Sequence, residues 1–248
     1  HETLVSLGGA ERVLEELTHV FPDAPVYVLE RTSRYRDPSA GMLFTSFLQR
    51  VPRLFGTRRW AFPLYAVAPE TFDLSAYDVV VSSCSAFAKG VVTRPGSLHI
   101  CYCHAPARFL WDATHEAAER FPAGSVRRGV LRLALHTLRV WDAAASRRVD
   151  VFIANSLATR SRIRKFYGRD ATVIYPPVAT ERFADAGSKR DLGDSNGVHR
   201  GYFLFVGRLS PYKNAELVVE TFTKLGLPLV VVGEGRAGRR VRQAAGPA

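Results

Sequence analysis

No uninterrupted apolar run in these 248 residues approaches the ~18 that a bilayer span requires. The chain opens on His1-Glu2 rather than on a charged segment leading into an apolar one, so neither a membrane span nor a signal peptide is expected. The lone methionine is not at position 1, which points to a start upstream of His1. Cysteine is scarce: Cys84, Cys101 and Cys103 are an odd number set in apolar, strand-like runs. That argues against a disulfide framework and suits a reducing compartment. Cys101, Cys103 and His104 have metal-ligand chemistry, but no second cluster completes a site, so no metal is expected. Zinc-finger spacing and RNP-type aromatic motifs are missing, which leaves nucleic acid a minor partner class.

Positive charge is in excess. Lys and Arg number 34 against 23 Asp and Glu, for a net charge of +11 and a pI near 10. Such a balance favours polyanionic partners: phosphorylated small molecules, an anionic membrane leaflet or nucleic acid.

The stretch Tyr202–Leu225 organises the reading. Tyr202 to Val206 form an apolar run without alternation, as in a strand buried on both faces of a parallel sheet, and Gly207 ends it. Leu217, Val218, Thr221, Phe222 and Leu225 then recur at helical spacing, with Ser210-Pro211 as the expected N-cap and first-turn pair. Arg208 and Lys213 fall between the strand's carboxyl end and the helix's amino end. Unpaired N–H groups and the helix dipole favour an anion at such a place, and the two cations reinforce it. A phosphate or diphosphate is the natural guest.

Earlier in the chain, Gly8-Gly9 enter a helix whose apolar stripe is Ala10, Val13, Leu14, Leu17 and Phe21. This helix start is a second candidate anion site or a simple tight turn, and the strand ahead of it is expected upstream of His1. Pro25–Leu29, Val79–Val81, Leu98–Cys101, Val151–Ala154 and Thr172–Ile174 read as strands, and Val126–Ala145 and Ser156–Tyr167 as helices. His104 stands just past a strand end, where open parallel sheets bind ligands. Between Arg31 and Leu74, Phe44, Phe47, Phe55, Trp60, Phe62 and Tyr65 interleave with Arg50, Arg53, Arg58 and Arg59. The mixture suits a membrane surface or a lipid-linked acceptor, or a surface excursion whose aromatics pack on the domain. Pro, Gly, Asp and Ser crowd 176–201, which reads as a linker into a second domain.

Together the motifs GGAERVLEEL, YCHAPARFLWD, VFIANSLATRSRIRKFYG, VIYPPV, FLFVGRLSPYKNAELVVETF and LVVVGEG resemble retaining glycosyltransferases of family 4 over nearly the whole chain. The YCHAPARFLWD form is closest to bacterial mannosyl- or rhamnosyl-type transferases. The resemblance implies an α/β, GT-B-type fold of two Rossmann-like domains with parallel sheets, here truncated at both ends. Residues 1–178 would be the acceptor-side domain; 179–248 would hold the linker and the start of the nucleotide-sugar domain. It also implies a nucleotide-diphosphate-sugar donor as substrate, a glycan or polyprenyl-linked acceptor, no cofactor or metal, and a cytoplasmic enzyme at the inner face of the membrane. Arg208 and Lys213 would hold the donor diphosphate, and Gly8 and Gly9 would approach the phosphate or acceptor. His104 would contact the transferred sugar. The catalytic set is thus His104, Arg208 and Lys213; the substrate-binding set is Gly8, Gly9, Gly207, Arg208, Lys213, Gly233 and Gly235. The family's glutamate pair is expected beyond Ala248, so this stretch alone is expected to be inactive. Two alternatives stand beside this reading. Gly233-Glu234-Gly235-Arg236-Ala237-Gly238 is a literal GxGxxG after a strand, as in a dinucleotide-binding oxidoreductase. A non-enzymatic basic binding module would account for the charge.

Overall fold

The computed structural model describes residues 1–5, 8–32, 42–51, 63–118, 124–181 and 201–245. They divide into two compact units, His1–Val178 and Ala179–Ala248.

In the first unit, β1 (Thr3–Leu4) leads through the glycine loop to α1 (Gly9–Val20). There follow β2 (Val26–Val28), β3 (Glu30–Arg31), β4 (Leu43–Thr45) and a short α2 (Leu64–Val67). Strands β5 (Val79–Cys84) and β6 (Leu98–Cys103) precede α3 (Thr114–Ala118), α4 (Val126–Ser146), β7 (Val151–Ala154), α5 (Leu157–Tyr167) and β8 (Thr172–Val173). Every pairing is parallel: β5-β6-β7-β8 form one sheet, while β1 pairs with β3 and β2 with β4. This is a mixed α/β chain with parallel sheets, as the apolar runs separated by helical spacings implied.

β5 and β6 are each longer than their apolar runs, because polar residues continue them inside the sheet. Ser82 Oγ meets His99 Nε2 at 2.8 Å, so both are buried with a partner. Both strands are exposed at their amino ends and buried at their carboxyl ends. Helix α4 buries Leu135 and Leu138 in one core cluster with Phe87, Ala107 and Leu110, while Ile163 of α5 packs on the sheet with Cys103, Phe152 and Ala154. Ser125 and Ser156 cap these helices by accepting from the Arg128 and Thr159 N–H groups, and Gly168 closes α5 at φ 66°. Under α1, β2 and β5, which are not paired with each other among the described residues, border an apolar cavity of about 250 Å³ lined by Leu14, Leu17, Phe21, Tyr27, Val80 and Val81 among others.

The strand ahead of the glycine loop was expected upstream of His1. The structure has one within the chain, β1, whose two residues are too short to announce themselves as a pattern. Of the aromatic and arginine-rich stretch, Arg53, Phe55, Arg58, Arg59, Trp60 and Phe62 lie outside the described residues, as do linker positions 182–200. Among the described part, Phe44 stacks on Tyr27 at 5.0 Å, and the Tyr65 hydroxyl donates to Glu30 at 2.9 Å.

The second unit contains β9 (Phe203–Val206), α6 (Ala215–Leu225), β10 (Leu229–Val232) and α7 (Gly238–Ala244). β9 and β10 run parallel, with Phe203 opposite Leu229 and Val206 opposite Val232. Leu209, Ala215, Val219, Ala237 and Val241 form their core with Phe205, Leu229 and Val231. β9 was expected to be buried on both faces. Instead, Leu204, Val206 and Val232, on the other side of the pleat, are at least half exposed, because among the described residues both helices pack on one face. The expected helix start at Ser210-Pro211 is also displaced. Pro211–Lys213 make a 3₁₀ turn, Asn214 takes a left-handed conformation at φ 53°, and only then does α6 begin.

No helix among the described residues is long and apolar enough to cross a membrane.

Candidate functional site

The carboxyl edge of β5 and β6 gathers the best-defined polar cluster. His104 follows β6, and its N–H donates to the Cys84 carbonyl at 2.8 Å, extending the parallel ladder by one residue. Its Nε2 lies 2.9 Å from Ser83 Oγ, and that hydroxyl lies 3.0 Å from His1 Nδ1. The Thr159 hydroxyl of α5 donates to the His104 carbonyl at 3.2 Å, and the ring stands edge-on to Tyr102 at 5.3 Å. Burial pushes the imidazole pKa down to about 4, with the Glu2 carboxylate pulling the other way. The ring is therefore neutral at pH 7, with one donor and one acceptor nitrogen. Ser83 has one proton for two imidazoles, so it donates to at most one of them and accepts from the other or from both. Nε2 is committed to Ser83, and among the described residues Nδ1 makes no hydrogen bond.

Glu2 braces the turn after β5. Its Oε1 accepts from the N–H groups of Ser85 and Phe87 at 2.8 and 2.7 Å and from that of Ala86. Beneath the turn lies an ion pair between Lys89 and Asp142, both almost fully buried. Lys89 Nζ also donates to the Ala86 carbonyl at 2.6 Å. Asp142 Oδ2 accepts from Trp111 Nε1 at 2.8 Å and from the Tyr167 hydroxyl at 2.9 Å. Burial opposes charge on Lys89, but its surroundings, the bonded Asp142 carboxylate among them, hold the ammonium well above its usual range. This network ties the turn after β5, the segment after His104, α4 and α5 together, so His104 stands on a rigid base.

Gly8 is the N-cap of α1, in an extended conformation with no side chain to cap the helix. A Cβ built on Gly9 would meet nothing within 4 Å, so packing does not explain a glycine there. Cys84, Cys101 and Cys103 are free and buried, and no metal-ligating cluster occurs among the described residues.

In the second unit, Arg208 and Lys213 both sit exposed on the connection from β9 to α6. Lys213 Nζ lies 5.4 Å from the Tyr212 ring centroid. The hollow at the start of α6, about 310 Å³, is lined by Glu216, Glu220 and Arg240 rather than by these two cations. Gly207, Gly233 and Gly235 belong to one backbone arrangement. A Cβ on Gly233, at φ 154°, would stand 1.8 Å from the Gly207 oxygen; on Gly235, also at φ 154°, it would stand 2.2 Å from the Leu209 oxygen. The Leu209 N–H donates to Glu234 at 2.8 Å and the Ala237 N–H donates to Leu209 at 2.9 Å. The glycine pattern is thus required by two backbone segments lying against each other and needs no dinucleotide to account for it.

The structure brings His104 together with Ser83, His1 and Glu2. It also places Arg208 and Lys213 on one connection, with Gly207, Gly233 and Gly235 beside it. Ser83 and Glu2 left no mark in the sequence, since their contacts span 21 to 85 positions. Asp142 did leave one: it interrupts the apolar stripe Leu135, Leu138 and Ala145 in phase, the position of a buried charge that needs a partner.

Comparison with known proteins bears on this arrangement. No curated protein matches the chain. The family described as Glycosyltransferase Family 4 matches residues 7–182, which include Gly8, Gly9 and His104 and stop short of Arg208 and Lys213. With that match covering well over half its length, and a parallel α/β fold presenting His104 at the sheet's carboxyl edge, the chain belongs to glycosyltransferase family 4.

Proposed function

We propose that the protein transfers a sugar, mannose-type by its motif style, from a nucleotide-diphosphate-sugar to a glycan or polyprenyl-linked acceptor with retention of configuration. The observation that carries this reading is His104. In a family 4 chain, a neutral imidazole is fixed at the carboxyl edge of a parallel sheet, one nitrogen held by Ser83 and the other available to a sugar hydroxyl.

In this reading the bond from the anomeric carbon to the diphosphate oxygen breaks, and the acceptor oxygen bonds to the same face. The acceptor proton passes to the departing phosphate oxygen. Arg208 and Lys213 supply fixed positive charge where negative charge develops, without a divalent metal. The sequence's lack of Asp-x-Asp supports that division of labour. Gly8 and Gly9 leave the start of α1 open to a phosphate or acceptor oxygen. The net charge of +11 supports work beside an anionic membrane surface on the cytoplasmic side.

Calorimetric titration with nucleoside diphosphates, NADP and a single-stranded oligonucleotide tests the ligand class. Nucleoside diphosphate binding that Arg208→Ala weakens is expected. Preference for NADP or for the oligonucleotide would overturn the reading. Anomeric analysis of the product then tests retention.

A further inference from the structure

Helix α4 has a second apolar face. Its first, with Leu135, Leu138 and Ala145, is buried in the first unit. On the opposite side Val126, Val130, Leu133 and Val140 are 82%, 62%, 67% and 59% exposed. Spacings of four, three and seven residues place them on one stripe at about 3.6 residues per turn, a stripe roughly 21 Å long. Scattered exposed aliphatics are ordinary; four aligned on one helix are a patch.

The exposed charges of α4 itself have one sign. Arg127, Arg132 and Arg147 are exposed at its flanks and C-terminal end. The helix's one acid, Asp142, is buried on the other face with Lys89. At Arg132 the stripe borders a groove of about 570 Å³, to which Trp111, Phe166, His115 and Lys165 also contribute. Asp112 shares this groove but is engaged by Arg108 and Arg162 at 3.5 and 3.1 Å. Helix α3, packed on α4, adds the exposed Glu116.

We propose that this outward face of α4 docks on an anionic bilayer, with the aliphatic stripe at the headgroup boundary and the flanking arginines against lipid phosphates. An apolar stripe edged with arginine is the composition of an interfacial helix. A second copy of the chain is the poorer occupant, because it would bring the same cations onto the same stripe, in a protein of net charge +11. An anionic surface offers both the missing charge and an apolar boundary. The inference deepens the membrane-associated part of the function proposed above and rests on that reading for its purpose. Its test reads lipid binding without sugar transfer, so the two fail separately.

The experiment is co-sedimentation of the 248-residue chain with phosphatidylcholine vesicles, with and without phosphatidylglycerol. Binding to the anionic vesicles alone, weakening as salt rises, is expected. Val130→Asp with Leu133→Glu should reduce it about tenfold or more, as should Arg127→Gln with Arg132→Gln. Leu217→Glu, an equally exposed site on α6, should bind as the parent does, with circular dichroism confirming that all variants fold. Indifference of the parent to anionic lipid, unaltered binding by both α4 variants, or an equal loss in Leu217→Glu would overturn the proposal. So would a dimer in the ultracentrifuge that Leu133→Glu disperses, which would assign the face to a second copy.

Discussion

Ser83 Oγ lies 2.9 Å from His104 Nε2, joining the ends of two adjacent parallel strands through side chains as well as through the backbone. The contact orients the ring, while burial keeps it neutral, and that has a consequence for stability. Burial takes the His104 pKa from 6.5 to about 4. Between those values the unfolded chain binds a proton that the folded chain refuses, so stability falls as pH drops from about 6.5 towards 4. The full effect is on the order of 3 kcal/mol. His99, also lowered by burial, adds to it in the same direction. Urea unfolding across this range should show a shallower pH slope in His104→Gln than in the parent protein. Parallel slopes would mean that His104 titrates normally.

Lys89 and Asp142 make the second prediction. The pair is buried and both residues make further hydrogen bonds, so removing one partner strands a charge. Lys89→Met or Asp142→Leu alone should cost about 3–5 kcal/mol, and the double variant should recover much of that loss. A double-mutant cycle by chemical denaturation measures it; additive losses would show that the two are not coupled.

Some of this architecture was legible in advance and some was not, for physical reasons. β7 matches its apolar run, and α4 and α5 match their periodicity to within a residue, because burial of one face writes itself into spacing. β5 was read short, since Ser82 and Ser83 look like a strand's end until their histidine partners are known. The start of α6 was misplaced because a left-handed Asn214 interrupts the chain after Pro211. His104 was legible from its place after β6. Its orientation was not, since Ser83 is 21 positions away and His1 lies 82 positions before Ser83. Gly233 and Gly235 were read as ligand-facing glycines; local pattern does not distinguish a ligand's close approach from that of the chain's own backbone.

Glycine substitutions separate those two cases. Gly233→Ala and Gly235→Ala put a Cβ 1.8 and 2.2 Å from a backbone oxygen, so each should destabilise the second unit. The cost is roughly 1–3 kcal/mol or more from strain. Gly9→Ala has open space and should fold normally. If the start of α1 receives substrate, Gly9→Ala should instead raise KM. Hydrogen exchange on the second unit, set beside transfer kinetics, reads both. A stable Gly233→Ala would contradict the close approach.

Arg208 and Lys213 carry the sharpest test of the transfer chemistry. Both occupy the connection between β9 and α6, exposed and beyond the residues matched to the family. A diphosphate gains negative charge as the sugar departs, so each cation should contribute more in the transition state than in the bound donor complex. Losing one such contact costs about 3 kcal/mol, or on the order of a hundredfold in rate. Arg208→Ala and Lys213→Ala should therefore depress kcat strongly and weaken donor binding less. Arg239→Ala, an exposed change on α7, should leave both nearly unchanged. Equal losses in kcat/KM and donor affinity with kcat preserved would make the two cations ground-state anchors only. Near-normal rates in both folded variants would remove the diphosphate from this connection altogether.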